Sequence, residues 1–394
     1  MVDYAGNRAA ARARRAGRAE AASLARRLDW VLVVTVGGLV AYGLWAIAGI
    51  TRHDVPGSPN YYVTRQAIFA GVGIAGAIAA VLVDPGVYRR YHRAIYIGTI
   101  ALMVLVLLSA PFTRGSKRWI DLGPFRFQPS EFGKLLFVLA LAGFLADRAR
   151  RIGNRRTTLQ TVGFALVPIG LVFIQPDLGT ALVYGAALAA ILFVAGTRWT
   201  HLALLGAGAV LFAVLVLWAL PSIGVPVLKP YQQARLTHIT HPDAEPGGAT
   251  YNLHQSILAV GAGGTHGRGV DNATQTNLDF LPEHATDFAF ASLAEQRGFL
   301  GAAALLCLYL LVVWRGLRIV AIAQDPYSAI VAGGIVVALL FQIFVNVGMT
   351  MGIAPITGIP LPFVSVGGSS MIANLVAMGV LLAIHTRARA QDRW

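Results

Sequence analysis

Ten apolar runs constrain this chain more than any other feature, at about 29–50, 67–83, 94–110, 130–146, 160–174, 178–196, 201–220, 299–313, 327–345 and 371–384. A hydrocarbon core about 30 Å thick asks for about 20 apolar residues per helix, so the shorter runs must extend into their flanks. Backbone groups in lipid must pair within their own segment, which makes helices the expected form. Composition agrees, with 56% hydrophobic and only 13% charged residues against about a quarter charged in soluble proteins. The expectation is an all-α polytopic membrane protein of about ten transmembrane helices. A basic arm (1–28) precedes a single membrane domain (29–385), and a short tail (386–394) follows. The first run is long enough to span, so the arm and run read as an uncleaved first helix. Cys307 is the only cysteine; it falls in an apolar run, where burial is expected, and no intrachain disulfide can form.

Basic residues orient the chain. With the N-terminus in the cytoplasm, one side carries 21 lysines and arginines and the other 10, which places both termini inside. The same asymmetry accounts for much of the net charge of +14 without nucleic acid as a partner. Membrane lipids are the natural partner of the arginine-rich arm, although a topology signal suffices to explain it. Cytoplasmic connections are short. The outer ones carry Pro, Gly, His and acids, and a long extracytoplasmic loop covers about 221–290, between helices 7 and 8. His238 and His241 in that loop have ligand-like spacing but no nearby acid or cysteine set, so no metal site is assigned. The run GAGGTHGRG (261–269) needs unusual backbone angles, as a phosphate cradle or as a plain loop. GVGIAG (71–76) matches a dinucleotide fingerprint in letters only; without a preceding strand it reads as a close helix contact.

Chemistry concentrates in four outer segments. DFLPEHATDFAFASLAEQRG (279–298) brings Glu283, His284, Asp287 and Glu295 to the start of an apolar run. Pro282 suits a first helical position, which would set Glu283 and Asp287 one turn apart, with Asp287 over the small residues Ala291, Ala294 and Gly298. An acid at the membrane edge is a functional candidate; equally, it can be a helix-start acid satisfying free N–H groups. KRWIDLGPFRFQPSEFGK (117–134) carries Lys117, Arg118, Trp119, Ser130, Glu131 and Lys134. Glu131 and Lys134, three apart, can simply neutralise each other. In QPDLGT (175–180), Asp177 opens a helix, and both it and Ser130 suit N-cap positions. The fourth segment, GMTMGIAPITGIPLPFVSVGGSS (348–370), reads as a re-entrant loop rich in Pro and Gly.

In this order the four segments resemble the SEDS family of cell-wall polymerases (shape, elongation, division and sporulation). The similarity covers about residues 26–385 and is nearer to the rod-shape branch than to the division branch. The resemblance implies a peptidoglycan glycosyltransferase acting at the outer face of a bacterial cytoplasmic membrane during elongation. Its substrate would be lipid II and its partner a class B penicillin-binding protein transpeptidase. It assigns catalysis to Asp287, and substrate contacts to Lys117, Arg118, Glu131, Lys134 and Asp177. Glu283 in the same stretch and Arg235 in the long loop join them as substrate-binding candidates. No cofactor is assigned with certainty; a divalent cation such as Mg2+ could share the neutralisation of pyrophosphate. The family's usual histidine two places before the aspartate is Ala285 here, with His284 one earlier, and Val366 stands where a tyrosine is usual. A lipid II flippase and a non-catalytic scaffold are the alternatives. A flippase would need a polar path through the midplane, and the apolar runs contain no Asp, Glu, Lys or Arg in their interiors.

Overall fold

The computed structural model describes residues 23, 25–109, 118–121, 123, 125–222 and 249–391. Its helices are α1 (Trp30–Ile50), α2 (Tyr61–Leu82), α3 (Pro85–Arg90), α4 (His92–Ser109), α5 (Pro129–Ala146), α6 (Arg155–Ile174) and α7 (Leu178–Val194). They continue with α8 (Trp199–Val214), α9 (Ala249–Ala262), α10 (Thr274–Asn277), α11 (Ala289–Ile322), α12 (Pro326–Thr350) and α13 (Gly368–Gln391). Strands β1 (Ile120–Asp121) and β2 (Arg126–Phe127) pair antiparallel, with Ile120 opposite Phe127. Among the described residues eight helices are long and apolar enough to cross a membrane, and the shorter apolar α7 and α8 complete the expected ten.

Burial sorts these helices into a centre and a rim. About four-fifths of the spanning stretches of α5 and α13, and nearly as much of α12, is buried, against about a quarter in α2 and α4. Glycine permits the closest of these packings. A Cβ at Gly73 would strike Leu375, and one at Gly379 would strike the Ala77 backbone, so the GVGIAG run is a helix–helix contact between α2 and α13. At the opposite end of the bundle from Asp287, Asp29 caps α1 and accepts from Arg315 Nε at 2.9 Å, both side chains buried. Arg315 and Arg318 therefore lie inside α11, whose helix runs to Ile322, and not in a connection.

Four further expectations change. No helix starts at Pro282: residues 281–288 form turns, and α11 begins at Ala289. Glu283 adopts φ 56°, a left-handed conformation that cannot continue a right-handed helix. Part of the long loop is folded, because α9 buries Ser256 and Ala259 and packs on α11. Ser130 is not an N-cap; Gln128 occupies that position, and Ser130 lies inside α5. Cys307 is exposed on the surface of α11, where apolar surroundings would be lipid rather than protein.

The glycine run at 261–269 has a structural use. Gly298, at φ 67°, breaks α11 into two halves. The run closes over the break with four backbone bonds: Arg268 N to Glu295 O (2.9 Å), Gly269 N to Gln296 O (3.0 Å), Phe299 N to Gly264 O (2.8 Å) and Leu300 N to Thr265 O (3.1 Å). The amides of Arg268 and Gly269 are thereby engaged by carbonyls, and the phosphate-cradle reading gives way to a clasp.

Candidate active site

Asp287 sits half-buried in the turn immediately before α11. Four successive carbonyls around it are each held by a different side chain or loop amide. Ser292 Oγ donates to His284 O (3.3 Å), Val366 N to Ala285 O (2.9 Å), Ser365 Oγ to Thr286 O (2.5 Å), and Asn346 Nδ2 to Asp287 O (2.9 Å). With those carbonyls taken by α11, the 351–367 loop and α12, the turn cannot relax into helix. The result is a carboxylate on a backbone fixed from three sides. Asn346 also donates to Ile359 O at 2.8 Å, which ties the turn to the Pro/Gly-rich loop.

His284 anchors the same turn from another direction. It is buried, with Nε2 3.0 Å from Asp54 Oδ1 in the α1–α2 connection and Nδ1 3.2 Å from Leu281 O. Burial alone would lower its pKa, but the Asp54 hydrogen bond and charge, the Asp279 carboxylate and the Leu281 carbonyl outweigh it and raise it. Glu283 is exposed on the turn, its Oε2 accepting from the Thr286 hydroxyl at 2.9 Å. Glu295 is fully buried and structural, accepting from Gln275 N, Thr276 N and the Thr276 hydroxyl at 2.7–3.0 Å.

A second cluster forms where α5 and α7 begin. Asp177 caps α7 through Thr180 N (3.2 Å), accepts from Gln128 Nε2 (3.2 Å) and lies 3.7 Å from Arg118 Nη1. The N-cap reading of Asp177 holds, and capping leaves the carboxylate beside Arg118 and Gln128. Arg118 also donates to the Pro176 carbonyl, while its buried Nε–H has no acceptor. Trp119 Nε1 donates to Gln128 Oε1 (3.2 Å), and Gln128 N donates to Ser369 Oγ (2.9 Å) at the start of α13.

One turn along α5, Lys134 Nζ bonds Glu131 Oε2 (2.9 Å) and Gln342 Oε1 (2.7 Å). A cavity of about 30 Å³ between α5, α12 and α13 touches Glu131, Lys134, Gln342 and Asn374. It has room for water but not for a sugar. Gln342 and Asn346 lie four residues apart on one face of α12, about 6 Å along the axis. That face connects the Glu131–Lys134 pair to the main chain of Asp287. Sequence reasoning missed Asp54, Gln342 and Asn346. The signal for the last two was present, as the only amides of α12, one turn apart in an apolar helix. Lys117, Arg235, His238 and His241 lie outside the described residues. Among the described residues no group of three or more His, Cys, Asp or Glu is placed to hold a metal ion.

Comparison with known proteins identifies the family of the chain. Residues 26–390 match the FtsW/RodA/SpoVE family, described as cell cycle proteins. The peptidoglycan glycosyltransferase MrdB of Escherichia coli K12 is 35% identical over 369 residues, 92% of this chain and 94% of that protein. A chain from a solved peptidoglycan synthase complex, concerned with coordinating polymerization and crosslinking, superposes with a TM-score of 0.77 at 30% identity, covering 92% of this chain and 98% of that one. The crystal structure of the rod shape determining protein RodA of Thermus thermophilus gives a TM-score of 0.66 at 27% identity, covering 93% and 98%. This integral membrane protein belongs to the FtsW/RodA/SpoVE family, the SEDS proteins.

Proposed function

We propose that this chain is a peptidoglycan glycosyltransferase that polymerises lipid II during cell elongation, at the outer face of a bacterial cytoplasmic membrane, with Asp287 as general base. The observation that carries the reading is the Asp287 turn, whose carbonyls are pinned by α11, α12 and the 351–367 loop in a chain of this family. Preorganisation of that kind serves a group that must meet a reacting atom. A sugar 4-hydroxyl attacks an anomeric carbon, the bond to the pyrophosphate oxygen breaks, and the hydroxyl proton passes to the Asp287 carboxylate. A single displacement inverts the anomeric centre. Pyrophosphate leaves as an anion, and Arg118 is suited to meet it, because its Nε–H has no acceptor and Asp177 only partly neutralises it. Lys117 and Arg235 are proposed to share this role. A divalent cation fits the donor set only if the pyrophosphate supplies most ligands and Asp287 one; the chain's own residues would bind, orient and take the proton.

The elongation assignment draws support from the GMTMGI segment and from likeness to a rod shape determining protein. The proposed partner is a class B penicillin-binding protein transpeptidase, in keeping with a relative found in a complex that couples polymerization to crosslinking. One reconstituted sample tests the function in two assays: glycan chain formation from outward-facing lipid II with and without that partner, and movement of labelled lipid II between leaflets. Polymer formation supports the reading. Leaflet exchange without polymer would assign a transporter, and neither activity, with the partner present, a scaffold.

A further inference from the structure

Arg297 is the last residue of the half-helix that follows Asp287, directly before the Gly298 break. Its guanidinium carbon lies 3.9 Å from the centroid of the Trp45 ring on α1, and Trp45 meets the Tyr42 ring at 5.3 Å. The Tyr42 hydroxyl donates to Gly301 O at 2.8 Å, which fixes this corner of α1 against α11. Trp45 nevertheless stays 47% exposed, so the aromatic shelf opens sideways, toward lipid.

Among the described residues no carboxylate stands within ion-pair distance of Arg297, and its buried Nε–H has no acceptor. The acids at this end are engaged elsewhere. Glu295 is bonded to Gln275 and Thr276, and Asp271 pairs with Arg52 at 3.4 Å. Trp45 lies five residues before the end of α1, about 8 Å inward along the axis. A cation at that depth without an anion is expensive, and an indole face offsets only part of the expense. Among the described residues none supplies that counter-ion. At the boundary between head groups and acyl chains the available anion is a phosphate ester.

We propose that Arg297 and Trp45, braced by Tyr42, form a binding site for the phosphate of a lipid in the leaflet that Asp287 faces. The guanidinium takes phosphate oxygens through parallel N–H groups. The lipid tail lies along the exposed stripe of α1 that continues from Trp45 through Ala41 to Val34. Two lipids offer this chemistry: an anionic glycerophospholipid, and a polyprenyl pyrophosphate, the second resting on the function proposed above.

Native mass spectrometry of the intact chain, released from micelles with added phosphatidylglycerol or undecaprenyl pyrophosphate, tests the site. Arg297→Gln should lower retention of at least one probe by about tenfold or more. Arg297→Lys, which keeps charge but loses the planar fork, should fall between. Trp45→Leu, which leaves the cation in place, should weaken the same probe, and thermal unfolding in detergent verifies that each variant is folded. Loss confined to phosphatidylglycerol assigns a bulk-lipid site; loss confined to the pyrophosphate assigns a carrier site. Retention of both probes by Arg297→Gln at the wild-type level overturns the proposal, whatever the polymerisation assay gives.

Discussion

Lys134 and Glu131 form the pair that their spacing on α5 predicts, but the third member, Gln342, joins from a residue 208 positions away. Their exposures of 8% and 2% decide what a substitution does, since removing one charge strands the other. Lys134→Met is expected to destabilise the protein by about 3–5 kcal/mol, seen as a lower melting temperature in detergent. Adding Glu131→Gln should restore most of that. A single variant that melts like the wild type would show that the pair is not held as described. Single residues were legible in the sequence where their role was local: Asp177 as a cap, Glu131 with Lys134 at one helical turn. Partners brought by folding were not. Nothing in the sequence joins His284 to Asp54, or Asp29 to Arg315, and charge alone does not reveal the amides Gln342 and Asn346.

At the scale of elements, the apolar runs located the eight spanning helices and the two shorter apolar ones but not their ends. The first half of α11 was expected as helix but from Pro282, and its start moves to Ala289 because the preceding turn is held by Asn346, Ser365 and Val366, partners that the sequence does not join to it. α9 escaped because its buried side is short and its remaining residues are mixed. The break between the halves of α11 is testable at one atom. A Cβ at Gly298 would collide with the backbone of Gly267, at a φ of 67° that L residues rarely adopt. Gly298→Ala should therefore sharply reduce accumulation of folded protein. Gly264, at φ 51° with open space around it, should lose only about 1–2 kcal/mol as Ala. Fluorescence size-exclusion of the two variants separates these outcomes; equal profiles would contradict the clasp. The His284–Asp54 contact adds a pH dependence. Because the folded pKa is raised, the stabilisation is complete below the unfolded value near 6.5 and is lost as pH rises through the folded one. Hydrogen-exchange protection across 279–288, taken relative to the intrinsic rate at each pH, should fall over that window in the wild type and show no such step in Asp54→Asn. Protection that is independent of pH in both would remove the histidine from the account.

For the whole molecule, the polar groups gather at two ends separated by an apolar middle. The Asp287 turn, the Arg118–Asp177 cluster and the Lys134 pair occupy one end; Asp29 with Arg315 and His385 occupies the other. An enzyme whose lipid-linked substrate is presented at one membrane face suits that distribution. Cysteines at Ser58 and Asn272, both exposed at the Asp287 end, should label with an impermeant reagent in intact cells in a Cys307→Ser background; labelling only after rupture would invert the chain. The most direct test of the account is glycan chain formation from purified lipid II by the wild type and by Asp287→Asn, each with its transpeptidase partner. The substitution is nearly isosteric and leaves the Asn346 bond to the Asp287 carbonyl in place, so the variant should fold and bind lipid II while polymerising about a hundredfold or more slowly. Chains formed by Asp287→Asn at close to the wild-type rate would contradict the assignment of Asp287 as the base.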